Sequence, residues 1–104
     1  MHKRIIIQTR PSTNVEFWTK DNPLVTNEYL SYMRDTYVIT GKLLDVVTDI
    51  SEDNLTMTTA VIWQSESDAD DWKNDLVVQE SFINIMESYH NANGIIATRS
   101  REDI

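Results

Sequence analysis

The residues with the most obvious chemical potential lie between Trp63 and Trp72, in the segment WQSESDADDW, where four carboxylates stand between two tryptophans. Carboxylates at such close spacing are the ligands that Ca²⁺ and Mg²⁺ prefer. The same acids also suit the start of a helix, where the macrodipole favours each negative charge by about 0.3–1 kcal/mol. Neighbouring carboxylates at a helix start diverge, and no histidine stands near them. The segment therefore predicts a helix start and no metal site.

The order of residues in this segment indicates how that helix would begin. Ser67 is followed three residues later by Asp70, which resembles a capping box with Asp in place of the usual Glu or Gln. Asp68, Asp70 and Asp71 would then occupy the first turn. Trp72 falls on the inward stripe of the helix, which makes core packing its expected role and a place in a ligand site the alternative.

The two histidines suggest no catalytic centre. His90, beside Asn91 near the end of a predicted helix, is most simply a surface residue favoured by the helix dipole. His2 belongs to a terminus that we expect to be frayed. The chain has no cysteine, which excludes thiol chemistry and cysteine-built zinc sites. We expect no metal and no cofactor.

The length and charge of the chain narrow the possible functions. A chain of 104 residues, with 40% apolar and 25% charged residues, predicts a single domain over residues 1–104. Of its 17 acids, nine lie between Asp45 and Asp75 against one base, so this segment holds the whole excess of the net charge of −8. Phosphate backbones require clustered Lys and Arg, so this charge distribution argues against direct nucleic-acid binding.

The apolar runs are short throughout. The longest near the N-terminus is Ile5–Ile7, too short for the apolar region of a signal peptide, and nothing later approaches a membrane span. We expect a cytoplasmic protein that does not bind membranes. The loop Pro11–Pro23 carries Phe17 and Trp18, and it is expected to fold back over the domain or to reach a partner, with a dimer contact favoured over a ligand lid for the tryptophan.

Hydrophobic periodicity predicts the order strand, helix, strand, strand, helix, strand. Thr26 is the predicted N-cap of the first helix, and Gly41 suits the left-handed position that closes it. The stripe of the second helix changes phase, which predicts a kink or break near Leu76–Val78, and Asn93-Gly94 ends that helix. The predicted strands are Lys3–Arg10, Lys42–Ser51, Leu55–Gln64 and Ile95–Arg99, with Ser100–Ile104 as a polar tail.

The central hairpin predicts a sheet with two unlike faces. If Ile50 pairs with Leu55 across the turn Glu52–Asn54, one face collects apolar residues and becomes the core face. Its members are Leu44, Val46, Ile50, Leu55, Met57, Val61 and Trp63. The opposite face holds Leu43, Asp45, Val47, Asp49, Thr56, Thr58, Ala60 and Ile62. That mixed face is too apolar for water and too polar for a monomer interior, which predicts that it pairs with a second copy.

The βαββαβ order predicts an α+β, ferredoxin-like fold with an antiparallel sheet, in which the first and third strands are central. In this context the segment Thr59–Trp72, TAVIWQSESDADDW, resembles the dimeric α/β-barrel superfamily and, within it, antibiotic biosynthesis monooxygenase (ABM)-type domains. The shared pattern is a third strand ending in Trp, two or three polar residues, and an acidic helix start with Ala and an aromatic residue. The resemblance implies that two sheets pack face to face and that each subunit keeps a cavity between its sheet and helices.

The same resemblance implies where a ligand would bind. Cofactor-free, quinone-forming members pair the strand-end tryptophan with an Asn and a Tyr, and the corresponding positions here hold Thr59 and Ala69. Haem-degrading members use an axial His on the second helix, where this chain reads DADDWKNDLVV, and an Asn on the first strand, where it has Gln8 or Thr9. The candidate cavity residues are Trp63, Tyr29, Met33, Thr59 and Trp72.

Two functions of different class remain open. The favoured one is a non-catalytic homodimeric module, paired through its sheet face, that binds a small apolar or aromatic ligand or a protein. The alternative is an ABM-like monooxygenase acting on an aromatic small molecule in the sheet–helix cavity. A third, an acidic mimic of nucleic acid, would be motivated only by the residues between Asp45 and Asp75.

Overall fold

Four antiparallel strands and three helices make up the fold, and the computed structural model describes all of the chain, residues 1–104. The strands are β1 (His2–Thr9), β2 (Leu43–Ile50), β3 (Thr56–Trp63) and β4 (Ile96–Asp103). Helix α1 (Asn27–Met33) continues into a π-helical turn (Arg34–Val38), and helix α2 spans Glu66–Asn74. Helix α3 comprises Leu76–Val78, a π-helical stretch (Gln79–Ile83) and Asn84–Asn93.

The sheet order is β2-β3-β1-β4, which confirms the predicted ferredoxin-like topology with β1 and β3 in the centre. The last strand is longer than predicted, because Ser100 to Asp103 do not form a free tail. They pair with β1, where His2 lies opposite Asp103 and Ile5 lies opposite Ser100. The Lys3 ammonium and the Glu102 carboxylate also approach to 2.7 Å across the two strands.

The predicted hairpin register is wrong by two residues, since Ile50 pairs with Met57 rather than with Leu55. A shift of two leaves each side chain on its predicted face. A bulge then interrupts β2 between Leu43 and Asp45, so that Leu43 lies opposite Trp63. Leu43 therefore packs against the core and Leu44 is exposed, the reverse of the prediction.

The core face also covers less of β2 than predicted. Val46 and Ile50 point to the helix side of the sheet, but the helices do not reach them, and they remain 51% and 49% exposed. Met57 and Trp63 of the neighbouring strand are buried, as predicted. The helix layer thus covers the central strands and leaves the edge strand β2 open on both sides.

The helix boundaries follow from their caps. Thr26 caps α1 by accepting a hydrogen bond from the Tyr29 N–H at 3.1 Å, as predicted. The cap of α2 is Ser65, whose hydroxyl accepts from the Asp68 N–H at 3.1 Å, so the prediction of Ser67 is wrong. With the helix starting two residues earlier, Asp70 lies beyond the first turn.

The break that was predicted near Leu76–Val78 lies at Asp75, between α2 and α3. Its ψ of 121° is extended, which ends α2, and its Oδ1 accepts from the Val77 N–H at 2.9 Å, which caps α3. Gly94 closes α3 in the left-handed conformation with φ 68°, as the Asn93-Gly94 pair predicts.

The loop after β1 folds back onto its own domain, one of the two predicted alternatives. Trp18 is 3% exposed, and its ring contacts those of Phe82 and Tyr89 at centroid distances of 5.5 Å. Since its side chain is buried within one chain, the tryptophan is not free to make the dimer contact that we favoured for it.

The face of the sheet away from the helices, which we call the outer face, carries no covering element of the chain. Its four cross-strand rows have apolar residues mainly on the central strands and charges mainly at the edges. The apolar members are Ile5, Ile7, Val47, Ala60, Ile62 and Ile96. Its charged members are Lys3, Asp45, Asp49 and Glu102. No helix of the fold combines the length and apolar character that a membrane crossing requires.

Candidate functional site

The sequence-predicted site centres on Trp63, which ends β3 and is 2% exposed. Its ring lies 5.9 Å from that of Tyr37 at a nearly perpendicular angle, and 6.0 Å from that of Trp72. Such edge-to-face and tilted pairs stabilise a core by about 0.5–1.5 kcal/mol beyond the area they bury. The space beside Trp63 is therefore occupied by aromatic rings of α1 and α2.

Helix α1 contributes two more of the predicted residues to the same cluster. Tyr29 stacks on Phe82 with centroids 5.0 Å apart, and Met33 accepts a hydrogen bond from the Trp72 indole N–H, with 3.0 Å between Sδ and Nε1. Both lie on the inward stripe of the helix. Four of the five predicted cavity residues are thus brought into one packed cluster.

Thr59 is the exception. It lies on the same strand face as Trp63 but four residues earlier, which puts it about 13 Å away by the rise of a strand. Its neighbours across the sheet are Ile6 and Thr48. The structure therefore does not place Thr59 beside the strand-end tryptophan.

The tyrosine–carboxylate group at the rim of the cluster was not predicted. The hydroxyls of Tyr32 and Tyr37 donate to the same oxygen, Oδ2 of Asp75, at 2.5 and 2.7 Å. These bonds tie the end of α1 to the break between α2 and α3. A partial signal existed in the sequence, because Asp75 directly precedes the break predicted near Leu76–Val78, and Asp is a typical N-cap where a helix restarts.

The pKa values of the group follow from its geometry. Burial tends to raise the pKa of Asp75, but the hydrogen bonds from Tyr32 and Tyr37 outweigh this effect and lower it below the ordinary range. Burial raises the pKa of Tyr37, and its bond to Asp75 raises it further. The pKa of Tyr32 is raised mainly by its bond to Asp75. At neutral pH the carboxylate is ionised and both phenols are protonated, so the group can accept or position hydrogen bonds but supplies no free base.

A second buried polar group links β1, the loop and α3. The Gln8 amide donates to the Trp18 carbonyl at 2.9 Å, and its Oε1 accepts from the Trp18 N–H at 2.8 Å. His90 lies 3.0 Å from the same Oε1 and is 5% exposed, so the prediction of a surface histidine is wrong. The indole Nε1 of Trp18 is buried without a hydrogen-bond partner.

His2 is also buried, at 2% exposure, contrary to the expected frayed terminus. Its Nε2 accepts from Arg4 Nε at 2.7 Å, and its Nδ1 lies 2.9 Å from the Asp103 carboxylate. His2, Asp103 and Glu66 together place three possible metal-ligating atoms within 4.8 Å of one another. Two guanidinium groups contact these residues, because Arg4 bonds His2 and Arg101 bonds Glu66 at 3.3 Å. Their positive charge opposes the binding of a cation there.

Two surface depressions lie away from Trp63. One runs beside α3 between Leu24 and Tyr89 and is mainly apolar. The other lies between the end of α3 and β4, and it is mainly polar. It is lined by Glu87, His90, Asn91, Ile95, Ala97 and Arg99.

Comparison with solved structures identifies the fold class. The chain is similar to a dimeric ferredoxin-like protein from an uncultured marine organism, with a TM-score of 0.58, 9% identity, and coverage of 99% of this chain and 93% of that one. It is also similar to a proposed antibiotic biosynthesis monooxygenase from Deinococcus radiodurans, with a TM-score of 0.55, 7% identity, and coverage of 100% and 92%. No protein-family model and no curated protein matches the sequence. The chain shares the ferredoxin-like fold of these two structures.

Proposed function

We propose that the protein is a non-catalytic homodimeric module in which a second copy covers the outer face of the sheet. The supporting observation is the composition of that face. Ile5 and Ile7 of β1 and Ala60 of β3 lie in its two middle rows, and no element of the same chain packs over them. Apolar residues in the middle with charges toward the edges are the usual anatomy of a protein interface.

The dimensions of the face fit this role. Eight residues per strand and four strands give a surface of about 26 by 19 Å, or on the order of 500 Å² per copy. Two such faces bury about 1,000 Å², which is the minimum for a biological interface and is typical of a weak dimer. One of the structurally similar proteins is itself described as dimeric.

The proposal is tested by the mass of the particle in solution. Sedimentation equilibrium at micromolar protein should give twice the 12.1 kDa chain mass. Ile7→Glu should convert the dimer to a monomer, since the cross-strand neighbours Thr58 and Thr98 offer no base to pair with the two charges that it buries in the interface. Leu76→Glu is the control for an added charge, because Leu76 is apolar and exposed but lies at the start of α3, away from the outer face. A monomeric parent protein, or equal dissociation by the two variants, would exclude this interface.

The ligand of such a module would be a small aromatic molecule held at the rim of the Trp63 cluster. Met33 and Trp72 are partly exposed there, and the polarisable thioether adapts to different aromatic partners. Binding of naphthols or quinols should quench the tryptophan fluorescence, and Met33→Ala should change the affinity. Unchanged fluorescence across the panel would remove this ligand class.

The second candidate is a monooxygenase that acts on an aromatic compound at the same cluster. It is favoured by the fold and by Trp63 at the end of β3. Oxygen uptake with a panel of quinols, with and without added haem, tests it directly. Turnover that is lost in Trp63→Phe would replace the non-catalytic proposal, and the absence of haem binding and turnover would leave the module as the function.

A further inference from the structure

The buried group around Gln8 fixes the chemical state of His90. The backbone N–H of Trp18 donates to Gln8 Oε1, and the Trp18 carbonyl accepts from Gln8 Nε2, so the orientation of the Gln8 amide is determined by backbone atoms. The atom 3.0 Å from His90 Nε2 is therefore an acceptor. It follows that His90 Nε2 carries a proton and donates it to Gln8.

The other ring nitrogen is then a free acceptor. Burial, together with the nearby Arg99 charge, lowers the pKa of His90, which favours the neutral ring. In the neutral ring with a proton on Nε2, Nδ1 carries a lone pair. His90 makes no hydrogen bond through Nδ1, and it lines the polar depression between α3 and β4. A side chain that is 95% buried thus keeps an unused acceptor at the wall of this depression.

The rest of the depression supplies a positive charge. Arg99 lies on the helix-facing side of the edge strand β4, with its guanidinium half-exposed. Its ion pair with Glu87 is loose, at 3.7 Å, and both partners are about half-exposed. Such an exposed pair contributes at most about 1 kcal/mol, so a ligand carboxylate can compete with Glu87 for the guanidinium.

We propose that this depression binds a small molecule that carries a carboxylate next to a hydrogen-bond donor, such as a 2-hydroxycarboxylate. The carboxylate pairs with Arg99, and the hydroxyl donates to Nδ1 of His90. Gln8 is a positioning residue, since it holds the imidazole in the tautomer that accepts. The site lies on the helix side of the sheet, so it does not depend on pairing through the outer face.

The first measurement is the tautomer of His90 in the free protein, from the side-chain ¹⁵N spectrum. A protonated Nε2 and an unprotonated Nδ1 are expected. A proton on Nδ1 would overturn the proposal before any ligand is added.

The second measurement is a titration with glycolate as the probe, followed by the ¹⁵N shift of His90 Nδ1. Binding should be weak, on the order of millimolar, because the depression is shallow and makes only two polar contacts. Acetate lacks the hydroxyl and glycolamide lacks the carboxylate, and each should bind about tenfold more weakly, as loss of one hydrogen bond to a charged or buried group predicts. Equal binding of acetate and glycolate, or no shift of Nδ1 with glycolate, would refute the assignment.

Matched arginine variants complete the test. Arg99→Gln should weaken glycolate binding about tenfold, the loss expected for a charge-assisted hydrogen bond. Arg101→Gln is the control, because Arg101 lies two residues further along the same face of β4 and bonds Glu66 outside the depression. Its effect should stay below about twofold. Equal weakening by both variants would show that only the general charge of the strand matters, which contradicts a site at Arg99.

Discussion

The tyrosine–carboxylate group gives the sharpest test of how the helices are held together. Tyr37→Phe removes one hydroxyl and leaves the ring that packs against Trp63. The main bond lost is the one that Tyr37 donates to the ionised Asp75 at 2.7 Å, since its contact with the Asp71 carbonyl is long, at 3.4 Å. Tyr32→Phe removes a donor to the same oxygen, but from a ring that is partly exposed to water. The two variants therefore differ mainly in the burial of the deleted hydroxyl.

The expected magnitudes follow from that difference. A hydrogen bond to a charged group contributes about 1.5–3 kcal/mol to the free energy of unfolding when water cannot replace it. Tyr37 is 2% exposed, so its variant should lose an amount in that range. For Tyr32 water can take the place of the hydroxyl at Asp75, and the loss should be about 0.5–1 kcal/mol.

The stability lost in Tyr37→Phe should also depend on pH in the acid range. The pKa of Asp75 is lower in the fold than in the unfolded chain. A carboxylate of this kind contributes its full stability above the unfolded-state pKa, about 3.9, and loses it as the pH falls through the lower folded pKa. The stability difference between the parent protein and Tyr37→Phe should therefore be constant above about pH 4 and shrink in stronger acid.

Urea unfolding followed by tryptophan fluorescence measures both effects, since Trp63 and Trp72 lie in the cluster that the bond closes. The protein concentration is kept the same for all variants, because dimerisation would add to the apparent stability. Equal losses for Tyr32→Phe and Tyr37→Phe would refute the role assigned to burial. A Tyr37→Phe variant as stable as the parent protein would show that the bond from the buried tyrosine to Asp75 does not stabilise the fold.

Three further substitutions test other parts of the structure. Ser65→Ala should lower the free energy of unfolding by about 1 kcal/mol through loss of the α2 cap. Ser67→Ala should change it by no more than about 0.5 kcal/mol. The reverse order in urea unfolding would show that Ser67 is the cap. Gln8→Leu leaves the buried N–H and carbonyl of Trp18 without side-chain partners and should cost at least about 2 kcal/mol in the same assay, so a neutral result would contradict the described bonds. Gly94→Ala keeps ordinary van der Waals spacing but forces φ 68° on a residue with a Cβ, and a loss of about 1–2 kcal/mol is expected in thermal unfolding, with an unchanged Tm as the opposing outcome.

The order of helices and strands was predictable because caps and hydrophobic periodicity are properties of residues that are close in sequence. Thr26 and Gly94 mark helix ends by their own chemistry, and the alternation in β3 identifies Trp63 as a core residue without knowledge of its neighbours. The register of the hairpin was predicted two residues off, but this error did not change which face each side chain was assigned to, since side chains alternate with a period of two. The bulge at Leu44 was not predictable in this way, because it is set by how β2 meets its partner strand.

The candidate site was predictable only to the extent that helical stripes reveal it. Tyr29, Met33 and Trp72 lie on such stripes, and the structure brings them to Trp63. Thr59 entered through a likeness to other proteins rather than through the stripe, and the structure leaves it apart.

The buried polar residues could not be predicted because their partners are distant in sequence. Gln8 and His90 are 82 residues apart and meet across the layers of the fold. In the sequence alone, each has the character of an ordinary surface residue. In the fold, Gln8 satisfies both backbone groups of Trp18, and this in turn dictates which nitrogen of His90 must donate. The unused lone pair on the histidine is therefore a consequence of how the loop is anchored, and any ligand that uses it depends on a glutamine that it never touches.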